Sequence, residues 1–197
     1  DSDLKFAQLI SKVTHVGHSS VALILKCFFT RDPEVLGKAF CTYMRPILEC
    51  CTLVWSPQYA DLIDKLENVQ RCFTKRLIWP EVLPYRERIA LLDIELLELR
   101  RIKLDLQFCF KILHNLTCIN GDRYFKFDDR DLSIRCYDDK HLLPGQFVTD
   151  RGLHHFLNRS VILWNSMSYD CRNTDSLNVF KRLLDLQDFN NFLKGHV

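Results

Sequence analysis

Apolar residues recur at helical spacing along most of this chain, and six glycines and six prolines are all that interrupt them. From Leu4 to about Phe28 the repeat runs through Leu4, Ala7, Leu9, Ile10, Val13 and Val16 into the apolar run Val21 to Leu25. Gly17 marks the place where this helix is expected to bend or split. The pattern restarts at Asp32-Pro33, an aspartate suited to cap a helix followed by a proline at its first position. That second helix is expected to reach about Cys51, kinked at Pro46, which has no backbone donor; Trp55-Ser56-Pro57 then breaks the pattern. From Tyr59 to Ile78, Leu62, Leu66, Val69, Phe73 and Leu77 form one stripe. Asp61, Asp64 and Glu67 lie near the start of this helix and Arg71, Lys75 and Arg76 near its end, the order that suits the helix dipole.

A short helix is expected from Tyr85 to about Leu92 and a long one from Leu96 to about His114. In the long one, Leu99, Ile102, Leu106, Cys109 or Phe110, and Leu113 face the core, while Arg100, Lys103, Gln107 and Lys111 share another face. Between 116 and 150 the periodicity is lost among Asn-Gly-Asp, Asp-Asp-Arg-Asp and Pro-Gly, as in a long loop or linker with one short strand or turn. Helical spacing returns over 151 to 167. Asn173-Thr174-Asp175-Ser176 then precedes a last helix, Leu177 to about Leu186, and a short turn of helix ends the chain. The expected fold is all-α: a helical domain over 1–115, a loop-rich linker over 116–150 and a small C-terminal helical unit over 151–197.

With 197 residues, 47% of them hydrophobic and 12% aromatic, the chain has enough apolar surface to bury a core, which argues against disorder. A net charge of +2 is a mild basic bias and does not by itself signal nucleic-acid binding. Nine cysteines include no C-x-x-C and no pair followed by closely spaced histidines, so zinc has little support. They read as reduced, mostly buried thiols of an intracellular protein, nuclear or cytoplasmic. No apolar run approaches the roughly 18 residues that cross a membrane. The chain begins at Asp1 without a methionine and reads as a piece of something longer.

Tyr137-Asp138-Asp139 looks at first like the aspartate pair of a polymerase. Two-metal chemistry needs carboxylates from separate positions converging on both ions, and a polymerase holds its pair in a hairpin between apolar strands. The flanks here alternate only weakly, and almost everything upstream reads as helix. Phe127-Asp128-Asp129-Arg130 fails in the same way, so both are read as solvated loop acids. Phosphate-loop, dinucleotide-binding, G-x-S-x-G and H-E-x-x-H motifs are absent, and His154 and His155 are adjacent, which on a helix points them apart. No cofactor and no stand-alone enzymatic activity are expected. Two basic groups could follow a phosphate backbone: Arg71, Lys75 and Arg76, with no acid between them, and Arg100, Arg101 and Lys103. Periodicity alone favours the blander reading, in which these are solvated helix faces.

One stretch changes that balance. Residues 31 to 77 contain Tyr43-Met44-Arg45-Pro46-Ile47-Leu48-Glu49, then Val54-Trp55-Ser56-Pro57, then Leu66-Glu67-Asn68-Val69-Gln70-Arg71-Cys72-Phe73-Thr74-Lys75-Arg76. This combination resembles the segment after the polymerase palm in reverse transcriptases of non-LTR (LINE-type) retrotransposons of the jockey-like and chicken-repeat-like groups. The resemblance extends over nearly the whole chain. Residues 84 to 115, "PYRERIALLDIELLELRRIKLDLQFCFKILHN", resemble the family's Y-x-x-R, L-E-x-R-R and K-I-L-H run, and Phe156 to Met167 resemble F-x-x-R-V-x-x-x-W-N-S-L. Three departures stand out: Cys50 in place of an aromatic, Ser168 in place of a proline, and "IRCYDDKHL" where relatives carry a basic T-R-G-H followed by lysine.

The resemblance implies a thumb and the helical region after it, which hold an RNA–DNA or RNA template–primer duplex by its backbone shape. It implies that palm, fingers and endonuclease are absent, and with them the palm aspartates and the Mg²⁺ of the parent polymerase. Under it, Arg71, Lys75, Arg76, Arg100, Arg101 and Lys103 are the phosphate contacts. The rival reading is a helical protein-interaction module with no nucleic-acid role, in which an exposed Trp79 or Trp164 would matter.

Overall fold

The computed structural model describes residues 6–78, 82–127, 140–146 and 149–195, except for the side chains of 150 and 151. Tyr137-Asp138-Asp139, the acids of the 127–130 motif and Trp79 lie outside them. Among the described residues the regular elements are all helical, and Phe127 and Leu142 form an isolated antiparallel bridge. The fold is all-α. None of the described helices is long and apolar enough to cross a membrane. The chain packs as two units, 1–101 with 192–197, and 102–191. The partition cuts through a helix instead of falling in the loop-rich stretch after 115.

In the first unit, α1 (Ala7–Cys27) packs lengthwise on α5 (Ala60–Leu77). Gly17 does not split α1. It is buried, and a Cβ there would stand 3.2 Å from Val69 Cγ1 and 3.3 Å from Leu48 Cδ2, so it is the notch that lets the helices approach. Replacing Gly17 by Leu is therefore expected to overpack this contact and lower stability by about 1–3 kcal/mol. Urea unfolding followed by helical circular dichroism checks it; an unchanged midpoint would show that the notch is not needed.

The second predicted helix is divided. Asp32 caps α2 (Pro33–Ala39), its carboxylate accepting from the Glu34 N–H at 2.9 Å. The chain then widens into a π-helical turn (Phe40–Met44), in which the Arg45 N–H reaches back to the Phe40 carbonyl, before α3 (Arg45–Glu49). Proline has no N–H to give the carbonyl four residues back, and its ring crowds it, so the preceding turn opens. Cys50 and Cys51 form a turn, Cys51 at φ 57°, and α4 (Thr52–Trp55) follows. Trp55, 4% exposed, closes that turn by donating Nε1–H to the Cys50 carbonyl at 2.7 Å. The unit's core joins Ile10, Leu36, Phe40, Met44, Leu48, Leu66, Val69, Phe73 and Leu97, with Phe40 stacked on Phe73 at 4.6 Å.

α6 (Tyr85–Leu91) packs on α5. α7 (Leu97–Leu113) begins in the first unit and continues into the second. Near the C-terminus, Lys194 and Gly195 give both backbone N–H groups to the Glu98 carboxylate, at 2.8 and 3.0 Å.

The second unit is built on the rest of α7, α9 (Phe156–Ser166) and α11 (Leu177–Asp185), with α8 (Asp150–Leu153) and α10 (Tyr169–Arg172) as short connectors. Phe110 and Phe180 stack at 4.4 Å, and Trp164 lies 5.9 Å from Phe180. Trp164 is 1% exposed, so it is a core residue and not a surface anchor. The helix expected over 151–167 is broken at His154 and His155, where the His155 ring caps α9 by accepting from the Leu157 N–H. The described part of 116–150 is tied to this core. Phe125 and Leu142 are buried, Trp164 Nε1–H donates to the Lys140 carbonyl, and Asn165 bonds both backbone groups of Leu142 at 3.0 and 2.8 Å. An asparagine side chain carries a donor and an acceptor, so it can hold an extended segment as a neighbouring strand would.

Candidate nucleic-acid interface

The six basic residues singled out by the sequence divide sharply by environment. Lys75 and Arg76 lie in the last turn of α5 and are exposed. One turn earlier, Arg71 is half-buried. Its Nη2 meets Asp64 Oδ1 at 3.1 Å and its guanidinium stands 5.3 Å from the Tyr85 ring centre. The Arg100 guanidinium is held by Glu49, Nη2 to Oε2 at 3.1 Å, a bond that also holds its pKa up. Arg101 is 3% exposed and lies close enough to Glu67 to pull that carboxyl's pKa down against burial. Lys103 is 8% exposed and its Nζ pairs with Asp185 Oδ1 at 2.7 Å.

The structure therefore does not present Arg100, Arg101 and Lys103 as an open cationic face; two of the three are buried. Helical spacing could not reveal this. It places Lys103 on a polar stripe, but the ion pair that lets a lysine go under comes from Asp185, far along the chain.

Two cations outside that set lie on α6, which packs on α5. Arg86 is exposed in the first turn of α6, and the Arg88 guanidinium stands 5.5 Å from the same Tyr85 ring. Arg88 is positioned by the Leu83 carbonyl at 2.6 Å and Thr74 Oγ1 at 3.3 Å. Tyr85 thus gathers one guanidinium from α5 and one from α6, which favours the ring's negative face. The signal is present in "PYRERI", where two arginines follow the proline that starts α6.

Beneath this surface lies a buried polar lock. Glu67 is 1% exposed; its Oε2 accepts the Leu97 N–H at 3.1 Å and its Oε1 accepts the Tyr85 hydroxyl at 2.5 Å. The same hydroxyl accepts from Gln70 Nε2 at 3.0 Å, and Gln70 also donates to the Glu95 carbonyl at 2.9 Å. Burial raises the Glu67 pKa, and burial beside Glu67 raises that of Tyr85. The lock fixes α6 and the start of α7 against α5, so Arg88, bonded to Thr74, is carried on a rigid mount at the end of α5.

Lys75 and Arg76, exposed with no acid in their own turn, can contact phosphate oxygens, whereas Arg86 shares its turn with Glu87; none of the three contacts implies base-edge readout. Among the described residues no three His, Cys, Asp or Glu side chains come together as a metal site. No protein-family model, curated protein or solved structure matches the chain.

Proposed function

We propose that the chain is the thumb and following helical region of a non-LTR retrotransposon reverse transcriptase. In this reading it holds a template–primer duplex by its phosphates, and the chemistry belongs to a palm that this chain lacks. The observation that carries the proposal is how the resembling stretches pair with one another. Glu49 of the R-P-I-L-E stretch holds Arg100 of L-E-x-R-R. Glu67 and Thr74 of L-E-x-V-Q-R and its extension hold Tyr85 and Arg88 of Y-x-x-R. Asp105 holds Arg159 of the F-x-x-R stretch. Likenesses arising separately in each stretch would have no reason to form mutually bonded pairs; one inherited folding pattern would.

The duplex contacts fall to Lys75, Arg76 and Arg86, with Arg71 and Arg88 behind them. A-form hybrids present a wide, shallow minor groove and 2′-hydroxyls, so a thumb reads shape. The purified chain is expected to bind a labelled RNA–DNA hybrid more tightly than a DNA duplex of the same sequence. A folded, helical chain that binds neither at low salt would overturn the reading.

One observation favours protein contact instead. Leu9, Val16 and Leu23 are 39%, 47% and 60% exposed and recur every seven residues on α1. In the thumb reading this stripe is a contact for the missing polymerase domains. In the rival reading it is the docking face itself, and binding there would be insensitive to salt.

A further inference from the structure

The turn between α3 and α4 carries a pair of thiols that play no part in holding a duplex. Cys50 and Cys51 are adjacent, both are exposed, and their sulfurs lie 3.7 Å apart in hydrogen-bond contact. Neighbouring cysteines usually point to opposite sides of an extended chain. Here Cys50 at φ −59°, ψ 122° and Cys51 at φ 57°, ψ 24° make a type II turn, and the two thiols face each other. A non-glycine residue in the left-handed region is uncommon and is kept only where its surroundings hold it. Three bonds hold this turn: Trp55 Nε1–H to the Cys50 carbonyl, the Val54 N–H to the Cys51 carbonyl at 2.9 Å, and the Thr52 hydroxyl to the Glu49 carbonyl at 3.2 Å.

We propose that Cys50 and Cys51 are a redox modification site, oxidised by a small-molecule disulfide to a vicinal disulfide and restored by thiols. The Cys50 thiolate attacks one sulfur of the small disulfide, forms a mixed disulfide and expels one small thiolate. The Cys51 thiolate then attacks Cys50 Sγ, closes a ring through the Cys50–Cys51 peptide bond and expels the second. The protein loses two protons and two electrons, and the small disulfide takes them up to become two thiols.

The second step is intramolecular. The sulfurs need to close only from 3.7 Å to the ~2.05 Å of a disulfide, so ring closure outruns capture of a second small disulfide. Reversal is built in as well. Adjacent Cα atoms sit ~3.8 Å apart, below the usual range for a disulfide, so the ring is strained and readily reduced. Ring closure stiffens the turn between Glu49, which holds Arg100, and Trp55, which anchors α4 in the core.

Cys27 and Cys118, exposed and elsewhere in the chain, serve as internal controls. The full chain is incubated with glutathione disulfide, alkylated, digested and read by mass spectrometry. The peptide carrying Cys50 and Cys51 is expected to lose two hydrogens and carry no adduct, while Cys27 and Cys118 carry glutathione. Dithiothreitol should return the peptide to two alkylatable thiols. Cys51→Ser should trap a glutathione adduct on Cys50; both positions are exposed, so this variant tests chemistry without burdening the fold. Separate glutathione adducts on Cys50 and Cys51, or free thiols at both while Cys27 and Cys118 have exchanged, would overturn the proposal.

Discussion

Glu67→Ala is expected to destabilise the protein by about 3 kcal/mol. The substitution removes the acceptor for two donors on other elements, the Leu97 N–H and the Tyr85 hydroxyl. Leu97 is fully buried, so its N–H has no water to turn to, and Arg101 at 3% exposure loses its nearby carboxylate. An orphaned buried donor costs roughly 1–3 kcal/mol, and removing one partner of buried charged groups costs more than a neutral bond. The contrast is Glu49→Ala, which breaks a pair with side chains 12% and 25% exposed and should cost nearer 1 kcal/mol.

A pH dependence follows from the same site. Burial raises the folded-state pKa of Glu67, so between the ordinary carboxylate value and the raised one the folded chain keeps a proton that the unfolded chain has released. Glu67 therefore makes stability fall as pH rises through that window, and Glu67→Gln should flatten this part of the profile. Urea midpoints of the three variants across mildly acidic to neutral pH check both statements. A Glu67→Ala loss no larger than that of Glu49→Ala would contradict them.

Arg159→Ala is expected to cost about 3–5 kcal/mol in the second unit. Arg159 Nε and Nη2 clasp Asp105 Oδ2 and Oδ1 at 2.7 and 3.1 Å, with Asp105 side-chain exposure of 5%. The geometry is the two-pronged one that only a guanidinium provides, and the substitution strips two charge-assisted bonds from a buried carboxylate. Arg159→Lys should rescue little of the loss, because an ammonium cannot make both bonds. The double substitution of Asp105 and Arg159 by Ala should cost less than the two single losses added, since both single variants lose the same pair of bonds. Additive losses would show that the pair is not coupled.

The parts of this fold legible in the sequence are those set by local rules. The stripe of α5, the cap at Asp32 and the ends of α6 and α7 follow from spacing, side-chain oxygen and helix dipole. The parts that are not legible depend on partners far along the chain. Gly17 reads as a breaker because nothing local says that Val69 and Leu48 press against it. Pro46 reads as a kink, and the chain absorbs it as a wider turn one step earlier. Residues 116–150 read as a linker because the residues that hold Lys140 and Leu142, Trp164 and Asn165, lie further along the chain. The candidate interface shows the same division. Lys75 and Arg76 are exposed at the end of a helix, as their place suggests. Lys103 lies on a polar stripe yet is buried by a pair with Asp185, and Arg88 reaches the end of α5 through Thr74 and the Tyr85 ring.

A basic end of α5 and α6 that grips a phosphate backbone must bind less tightly as salt rises. The most direct test is the salt dependence of RNA–DNA hybrid binding, measured for the native chain and for the Lys75→Ala, Arg76→Ala double variant. Removing one cation from a phosphate should flatten the log–log salt slope by about 0.9, so the double variant should bind more weakly with a slope shallower by roughly 2. Equal slopes and equal affinities for the two proteins would contradict the phosphate grip.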